Sequence, residues 1–206
     1  MDSTIQKLSE FFEKLPGIGP RQARRFVYAL LRKEQSFLND FSALISTLKE
    51  NVSQCQKCNR FFQSKKHGGV CGLCNSTERK EKVLLVVEKD IDLKNIEKAG
   101  FYNGYYFVLG GLVPPISSGL PEEVKMKKLF ERVKEEALSK NLDEIILAFS
   151  ATTEGDSTTR YVEKILEPII KNRAIKINRL GRGLSTGTEL EYSDKDTILH
   201  AFKNRQ

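Results

Sequence analysis

The hydrophobic pattern of the chain changes character near residue 82. Before that point apolar residues recur every three or four positions, the helical period. After it, short continuous apolar runs alternate with helical stretches. Ile5, Leu8, Phe11, Phe12 and Leu15 predict a first helix. It opens on Ser3-Thr4-Ile5-Gln6, which has the form of a capping box, and Pro16-Gly17 stops it at Leu15. Pro20 suits a first helical turn and opens a second helix, with Ala23, Phe26, Val27, Leu30 and Leu31 inward. A third helix is predicted from Phe37 to Lys49, capped by Ser36, with Phe37, Leu38, Phe41, Leu44, Ile45 and Leu48 as its core face.

Beyond Lys82 the run Val83–Val87 reads as a buried parallel strand ending in Glu88. A short helix over Ile91–Lys98, a strand over Tyr105–Leu109 and a loop with Pro114, Pro115, Gly119 and Pro121 follow. A long helix over Glu122–Ser139 turns Val124, Leu129, Val133 and Leu138 inward. Glu144–Phe149 is a strand, Ser157–Ile170 a helix and Ala174–Ile177 a last strand. This alternation predicts an open parallel α/β sheet behind an N-terminal helical part.

All four cysteines of the chain lie between these parts, as Cys55-Gln56-Lys57-Cys58 and Cys71-Gly72-Leu73-Cys74. Each C-x-x-C pair can close one edge of a tetrahedron, and four thiolates suit Zn²⁺ in a structural site. Such a site leaves no open position for a catalytic water. Two disulfides or a redox pair are the alternatives, but nothing else in the chain points to secretion or to a redox fold. The intervening loop carries Arg60, Phe61, Phe62, Lys65, Lys66 and Gly68-Gly69, and His67 within it reads as a surface residue. The place of the knuckle suggests that its metal ties the two parts of the chain together.

Charge is unevenly placed. Residues 1–82 hold 15 Lys/Arg against 8 Asp/Glu, whereas residues 83–206 hold 19 against 19, so the whole net charge of +7 lies in the first part. A basic segment of this kind points to a polyanion, most simply nucleic acid. Leu15-Pro16-Gly17-Ile18-Gly19-Pro20 joins two helices by a tight Gly-x-Gly hairpin. That hairpin aims backbone N–H groups outward at a helix start, where a phosphate oxygen can bind. Arg21, Arg24 and Arg25 in the following turns can add charge-assisted contacts. The arrangement resembles a helix-hairpin-helix motif, which holds DNA backbones without reading sequence. Gly17, Gly19 and the arginines that follow are therefore the candidate DNA-binding residues.

Acidic residues fall at predicted strand ends, where open α/β sheets build their sites. Glu88 ends the first strand, and Glu154-Gly155-Asp156 follows the third. Converging carboxylates suit Mg²⁺. The pattern resembles the Toprim domain, in which such acids hold Mg²⁺; an acidic helix start without metal is the alternative.

Taken in order, the glycine hairpin, the four cysteines, Val86-Val87-Glu88, Tyr106-Phe107-Val108-Leu109, Ile146-Leu147-Ala148, Thr152–Asp156 and Glu189-Leu190-Glu191-Tyr192 resemble the RecR family of bacterial recombination mediators. The resemblance spans essentially the whole chain. It implies a helix-hairpin-helix region over 1–52, a four-cysteine zinc finger over 53–80, a Toprim domain over 81–178 and a C-terminal assembly arm over 179–206. It further implies a non-catalytic DNA-binding protein that assembles into dimers or ring-like tetramers. With RecO, and in many bacteria RecF, such a protein helps load RecA at single-stranded gaps. In that family the hairpin-helix cations contact DNA, which maps to Arg21 and Arg25 here. Glu88, Glu154 and Asp156 map to acids linked to partner binding as much as to metal. The chain departs from the family pattern at Ser150-Ala151, Thr153 and Ser157, and at Ser185-Thr186-Gly187-Thr188.

Other functions find little support. No G-x-x-x-x-G-K-[ST] occurs, which disfavours an ATPase, and the glycine-rich Gly181–Gly187 lacks the lysine. With histidines at 67 and 200 only and the cysteines committed to metal, no nucleophile–base pair stands out. The six tyrosines have no recognisable nucleophile context, so the enzymatic alternative is a Mg²⁺-dependent Toprim nuclease. No secretory signal or membrane-spanning apolar stretch is evident, and the expected location is the cytoplasm, at the nucleoid.

Overall fold

A computed structural model describes residues 3–64, 69–79, 82–115, 119, 121–139, 141–181, 183–184, 187 and 189–203. His67, Lys65, Lys66, Gly68, Ser185, Thr186 and Thr188 lie outside the described residues. The chain forms two compact units, Met1–Val52 and Ser53–Gln206.

The first unit holds helices α1 (Thr4–Glu13), α2 (Pro20–Leu30) and α3 (Gln35–Asn51). Ser3 caps α1 by accepting from the Gln6 amide at 3.2 Å. Gln6 does not close the box, because its side chain turns to Glu10 instead. α1 and α2 pack through Phe12 and Phe26, whose rings lie 5.5 Å apart, and α2 buries Ala23 and Val27. α3 begins before the expected Ser36 cap, with Glu34 at the N-cap and no side-chain capping bond. Its apolar stripe is not a core face. No α3 residue is buried, and Leu44 is 70% exposed.

The second unit opens with a small two-stranded sheet, β1 (Val52–Gln54) with β2 (Phe61–Gln63), and a short helix α4 (Gly72–Asn75). A parallel four-stranded sheet follows, in the order β4 (Tyr105–Val108), β3 (Val83–Val87), β5 (Glu144–Ala148), β6 (Lys176–Arg179). Register pairs Val86 with Phe107 on one side and with Leu147 on the other. Successive β3 side chains enter opposite layers, which is why the whole run is apolar. Leu84 and Val86 pack with Leu129 and Val133 of α6 (Met126–Leu138) and Val162 and Leu166 of α7 (Thr153–Arg173). Leu85 and Val87 pack on the other face with Leu93 of α5 (Asp90–Ala99).

Within α6 the inward stripe differs from expectation: Leu138 is 59% exposed and Ala137 is buried in its place. α7 starts at Thr153, before the expected Ser157, because Thr152 caps it by accepting from the Gly155 amide at 3.1 Å. The last strand lies two residues later than expected, since Ala174 takes the left-handed conformation that ends α7. The C-terminal arm adds a short 3-10 turn (Leu190–Tyr192) and a helix α8 (Lys195–Lys203), neither signalled by the hydrophobic period. Among the described residues no helix is long and apolar enough to cross a membrane.

Candidate functional site

The four cysteines are brought together. Cys55, Cys58, Cys71 and Cys74 are all buried, and their Sγ atoms lie within 4.8 Å of one another. The Cys58 and Cys71 sulfurs are 3.5 Å apart, and none of the four is in a disulfide. A tetrahedron with metal–sulfur bonds of about 2.3 Å has sulfurs about 3.8 Å apart, whereas a disulfide needs about 2.0 Å. The spacing therefore fits a metal ion and not a covalent bridge.

Backbone geometry holds the sulfurs there. The Cys55 amide donates to Arg60 O at 2.8 Å and the Asn59 amide to Cys55 O at 3.0 Å, closing the first C-x-x-C turn. Asn59 takes φ of 63° to complete it. Cys71 is the N-cap of α4, and its own amide donates to Cys55 Sγ at 3.3 Å. At such close range the sulfurs polarise one another. Hydrogen bonds from Cys58 and Cys74 hold the Cys71 thiol well below its ordinary range, and the same contact with Cys71 pushes Cys58 up. Sulfurs so disposed are a donor set for a thiophilic cation.

This knuckle belongs to the second unit, where it covers the free edge of β4. The Val108 amide donates to Cys58 O at 2.8 Å, and the Asn59 side-chain amide donates to Val108 O at 2.8 Å. Lys128 of α6 donates to Asn59 Oδ1 at 3.5 Å, and the Phe61 amide donates to Asp90 Oδ1 at 2.8 Å. An edge strand left bare would template aggregation; here a metal-binding module caps it. These bonds lie within the second unit and fasten the knuckle to β4.

In the first unit the glycine hairpin forms as predicted between α1 and α2. Gly17 has φ of +79°, which a side chain would strain. Gly19 is the N-cap of α2 with an ordinary φ of −88°, and a Cβ there would meet nothing within 4 Å. Neither backbone conformation nor internal packing demands a glycine at 19. The first turn of α2 carries no acidic residue, and Arg21, Arg24 and Arg25 are all exposed. Arg25 donates to Gln22 of the same helix at 3.4 Å.

The acidic residues sit at the carboxyl ends of the central strands β3 and β5, where the strand order reverses. Glu88 is buried, and its carboxylate is engaged on both oxygens: Lys89 Nζ at 2.7 Å and Ser150 Oγ at 2.8 Å. The pairing holds Lys89 above its ordinary pKa. Glu154 and Asp156 lie in the first turn of α7, with Glu154 exposed and Asp156 half-buried near Arg179. Arg179 itself grips Glu163 through two bonds, at 2.9 and 2.7 Å. Gly155 between the acids is required by packing, since a Cβ there would lie 1.8 Å from Ser150 O. Glu88, Glu154 and Asp156 do not gather as ligands. Among the described residues the four cysteines are the sole group of three or more ligating side chains.

Sequence reasoning missed Lys89, Ser150, Asn59 and Arg132. Asn59 follows the C-x-x-C directly, where an αL residue is common. Arg132 offered one signal, a cation on the same face of α6 as Leu129 and Val133.

A family model described as RecR, helix-hairpin-helix matches residues 5–49, a Toprim domain model matches residues 82–180, and RecR, C-terminal matches residues 183–206. Recombination protein RecR of Prochlorococcus marinus (strain MIT 9312) is 38% identical over 201 residues, covering 98% of this chain and 94% of that protein. Recombination protein RecR of Dehalococcoides mccartyi is 35% identical over 202 residues, with 98% and 93% covered. That of Chloroherpeton thalassium is 35% identical over 201 residues, with 98% and 95% covered.

Proposed function

This chain belongs to the RecR family of recombination proteins, and from that premise we propose that it is a non-catalytic DNA clamp and mediator in recombinational repair. It acts with RecO, and with RecF, to help load RecA at single-stranded gaps. The observation that carries the DNA-binding part is the open start of α2. Gly19 has no internal reason to be glycine, and it sits beside exposed Arg21 and Arg25 on a helix whose first turn lacks acids. A phosphate oxygen approaching the free N–H groups supplies that reason.

The metal is structural Zn²⁺ held by Cys55, Cys58, Cys71 and Cys74. The donor set and sulfur spacing support this assignment. When bound, the ion supplies fold energy and no open coordination position. Glu88, Glu154 and Asp156 serve partner recognition in preference to Mg²⁺. In support, Glu88 already has two protein partners, and Glu154 points to solvent at the head of α7. Self-association into a dimer or a tetrameric ring is supported by exposed apolar groups: Leu44, Ile45 and Leu48 of α3, and Tyr192 and Phe202 of the C-terminal arm. The protein acts in the cytoplasm, on nucleoid DNA.

One gel experiment tests the central reading. Purified protein is incubated with supercoiled plasmid and Mg²⁺ or Mn²⁺ over a salt series and resolved with and without deproteinisation. The expected result is retarded plasmid that returns supercoiled once protein is removed. Nicked or relaxed plasmid that disappears with Glu88→Ala would instead make the acidic site a nuclease.

A further inference from the structure

The knuckle faces a groove of about 770 Å³ in the second unit, walled by α6 and lined by Lys57, Cys74, Arg79, Lys128 and Arg132 among others. Of the four cysteines, Cys74 lines this groove and is the most exposed, at 7%. The groove's lysines, Lys57, Lys82 and Lys128, are exposed. Two arginines are held in place: Arg79, which donates to Gly104 O and to Glu97 at 2.6 Å each, and Arg132, which is buried at 8% exposure. Arg132 is the one on α6. Its guanidinium donates to Tyr106 O of the edge strand at 3.1 Å, and Glu136 steadies it through Nε at 2.9 Å. Glu136 is the more exposed member of that pair, with its side chain 24% accessible. Tyr106 O, which Arg132 binds, and the Val108 amide, which donates to Cys58 O at 2.8 Å, belong to the same edge strand, so the guanidinium and the knuckle are both fastened to β4 and share one groove.

Arg132 is buried with one carboxylate partner, Glu136, and the knuckle is fastened to the same edge strand. Four thiolates around a divalent ion carry a net charge of about −2. Such a centre, placed against a low-dielectric strand edge, is stabilised by a fixed cation that water cannot replace. We propose that Arg132 is the built-in counter-charge of the four-thiolate metal centre, holding the metal on the chain and shielding Cys74, the sulfur at the groove. This inference rests on reading the four cysteines as a metal site.

The test compares wild type, Arg132→Met and Arg132→Lys as full-length chains. Zinc content is measured first by elemental analysis. A wild type that carries no stoichiometric zinc removes the metal reading itself and the inference with it. With zinc present, retention is measured by titrating a chromophoric chelator, and Cys74 access by the rate at which a thiol reagent ejects metal. Arg132→Met is expected to release zinc at chelator concentrations lower by about tenfold, the usual effect of losing an outer-shell partner. Ejection should quicken by a similar factor. Arg132→Lys, which keeps the charge but loses the planar fork, is expected to recover most of the retention. Melting separates this from packing: Arg132→Met loses the Tyr106 and Glu136 contacts with or without metal, so a counter-charge role lowers the zinc-loaded melting temperature by more than the metal-free one, and equal drops point to packing alone. The proposal is overturned if Arg132→Met keeps zinc as wild type does, or if Arg132→Lys loses it as readily as Arg132→Met. Should Arg132→Met not fold, Arg132→Lys decides alone: zinc loss as easy as in Cys74→Ser refutes it.

Discussion

Arg21 and Arg25 stand four residues apart on α2, so they share one face of its first two turns, beside the open hairpin. Both are exposed, and no ion pair holds either of them among the described residues. Replacing both by Ala removes two mobile cations and no core contact, so the unit should remain folded. If each neutralises one phosphate, the slope of log affinity against log salt flattens by about 1.8 for each protomer on duplex DNA. Between 50 and 200 mM salt the advantage of wild type over the double variant then shrinks by about twelvefold. Fluorescence anisotropy with a labelled duplex, at four or more salt concentrations, measures both slopes. Gly19→Ala makes the companion variant. It keeps every charge but crowds the approach to the α2 amides, so affinity should fall at all salts while the slope stays near that of wild type. Parallel lines for the Arg21→Ala/Arg25→Ala protein and wild type would refute the phosphate role, and so would strong preference for one duplex sequence at fixed salt.

Two further outcomes concern the parts that hold the sites in place. Asn59→Ala loses the buried bond to Val108 O and puts a Cβ-only side chain at φ of 63°, which together should cost about 2–4 kcal/mol; Asn59→Gly, which tolerates that φ, should cost about 1 kcal/mol less. Thermal melting of the zinc-loaded proteins gives the ranking, and equal melting temperatures for the Ala and Gly variants would contradict the backbone argument. Gly155→Ala drives a Cβ into Ser150 O and should destabilise the sheet unit by about 3 kcal/mol or more; a melting temperature within two degrees or so of wild type would show that the start of α7 can move away without loss.

Much of the molecule was legible from local chemistry. The glycine hairpin follows from Pro16-Gly17 and Pro20, which end one helix and begin the next whatever surrounds them. The core strands of the sheet are legible because Val83–Val87 and Ile145–Ala148 must be apolar to be covered. The cysteine cluster follows from ligand spacing, a property of a few bonds. Element ends were less legible: Thr152 as a cap and Ala174 as a left-handed stop act through single hydrogen bonds and dihedral angles that a hydrophobic period does not register. The apolar stripe of α3 shows the other failure. A stripe says that a face seeks cover and not where the cover is, and in the single chain this face stays exposed.

The sequence by itself therefore determined the order of elements, the helical and α/β parts, the four-sulfur donor set and the cationic hairpin. Each of these depends on residues close together in the chain. Tertiary structure alone decided three things: that the knuckle caps the edge of β4, that Glu88 is tied to Ser150, and that Arg132 is buried against Tyr106 O of the same edge strand. The reason is separation along the chain. Asn59 meets Val108 across 49 residues and Ser150 meets Glu88 across 62, and such pairings are set by strand order and by which helix covers which face. Local periodicity carries no record of either.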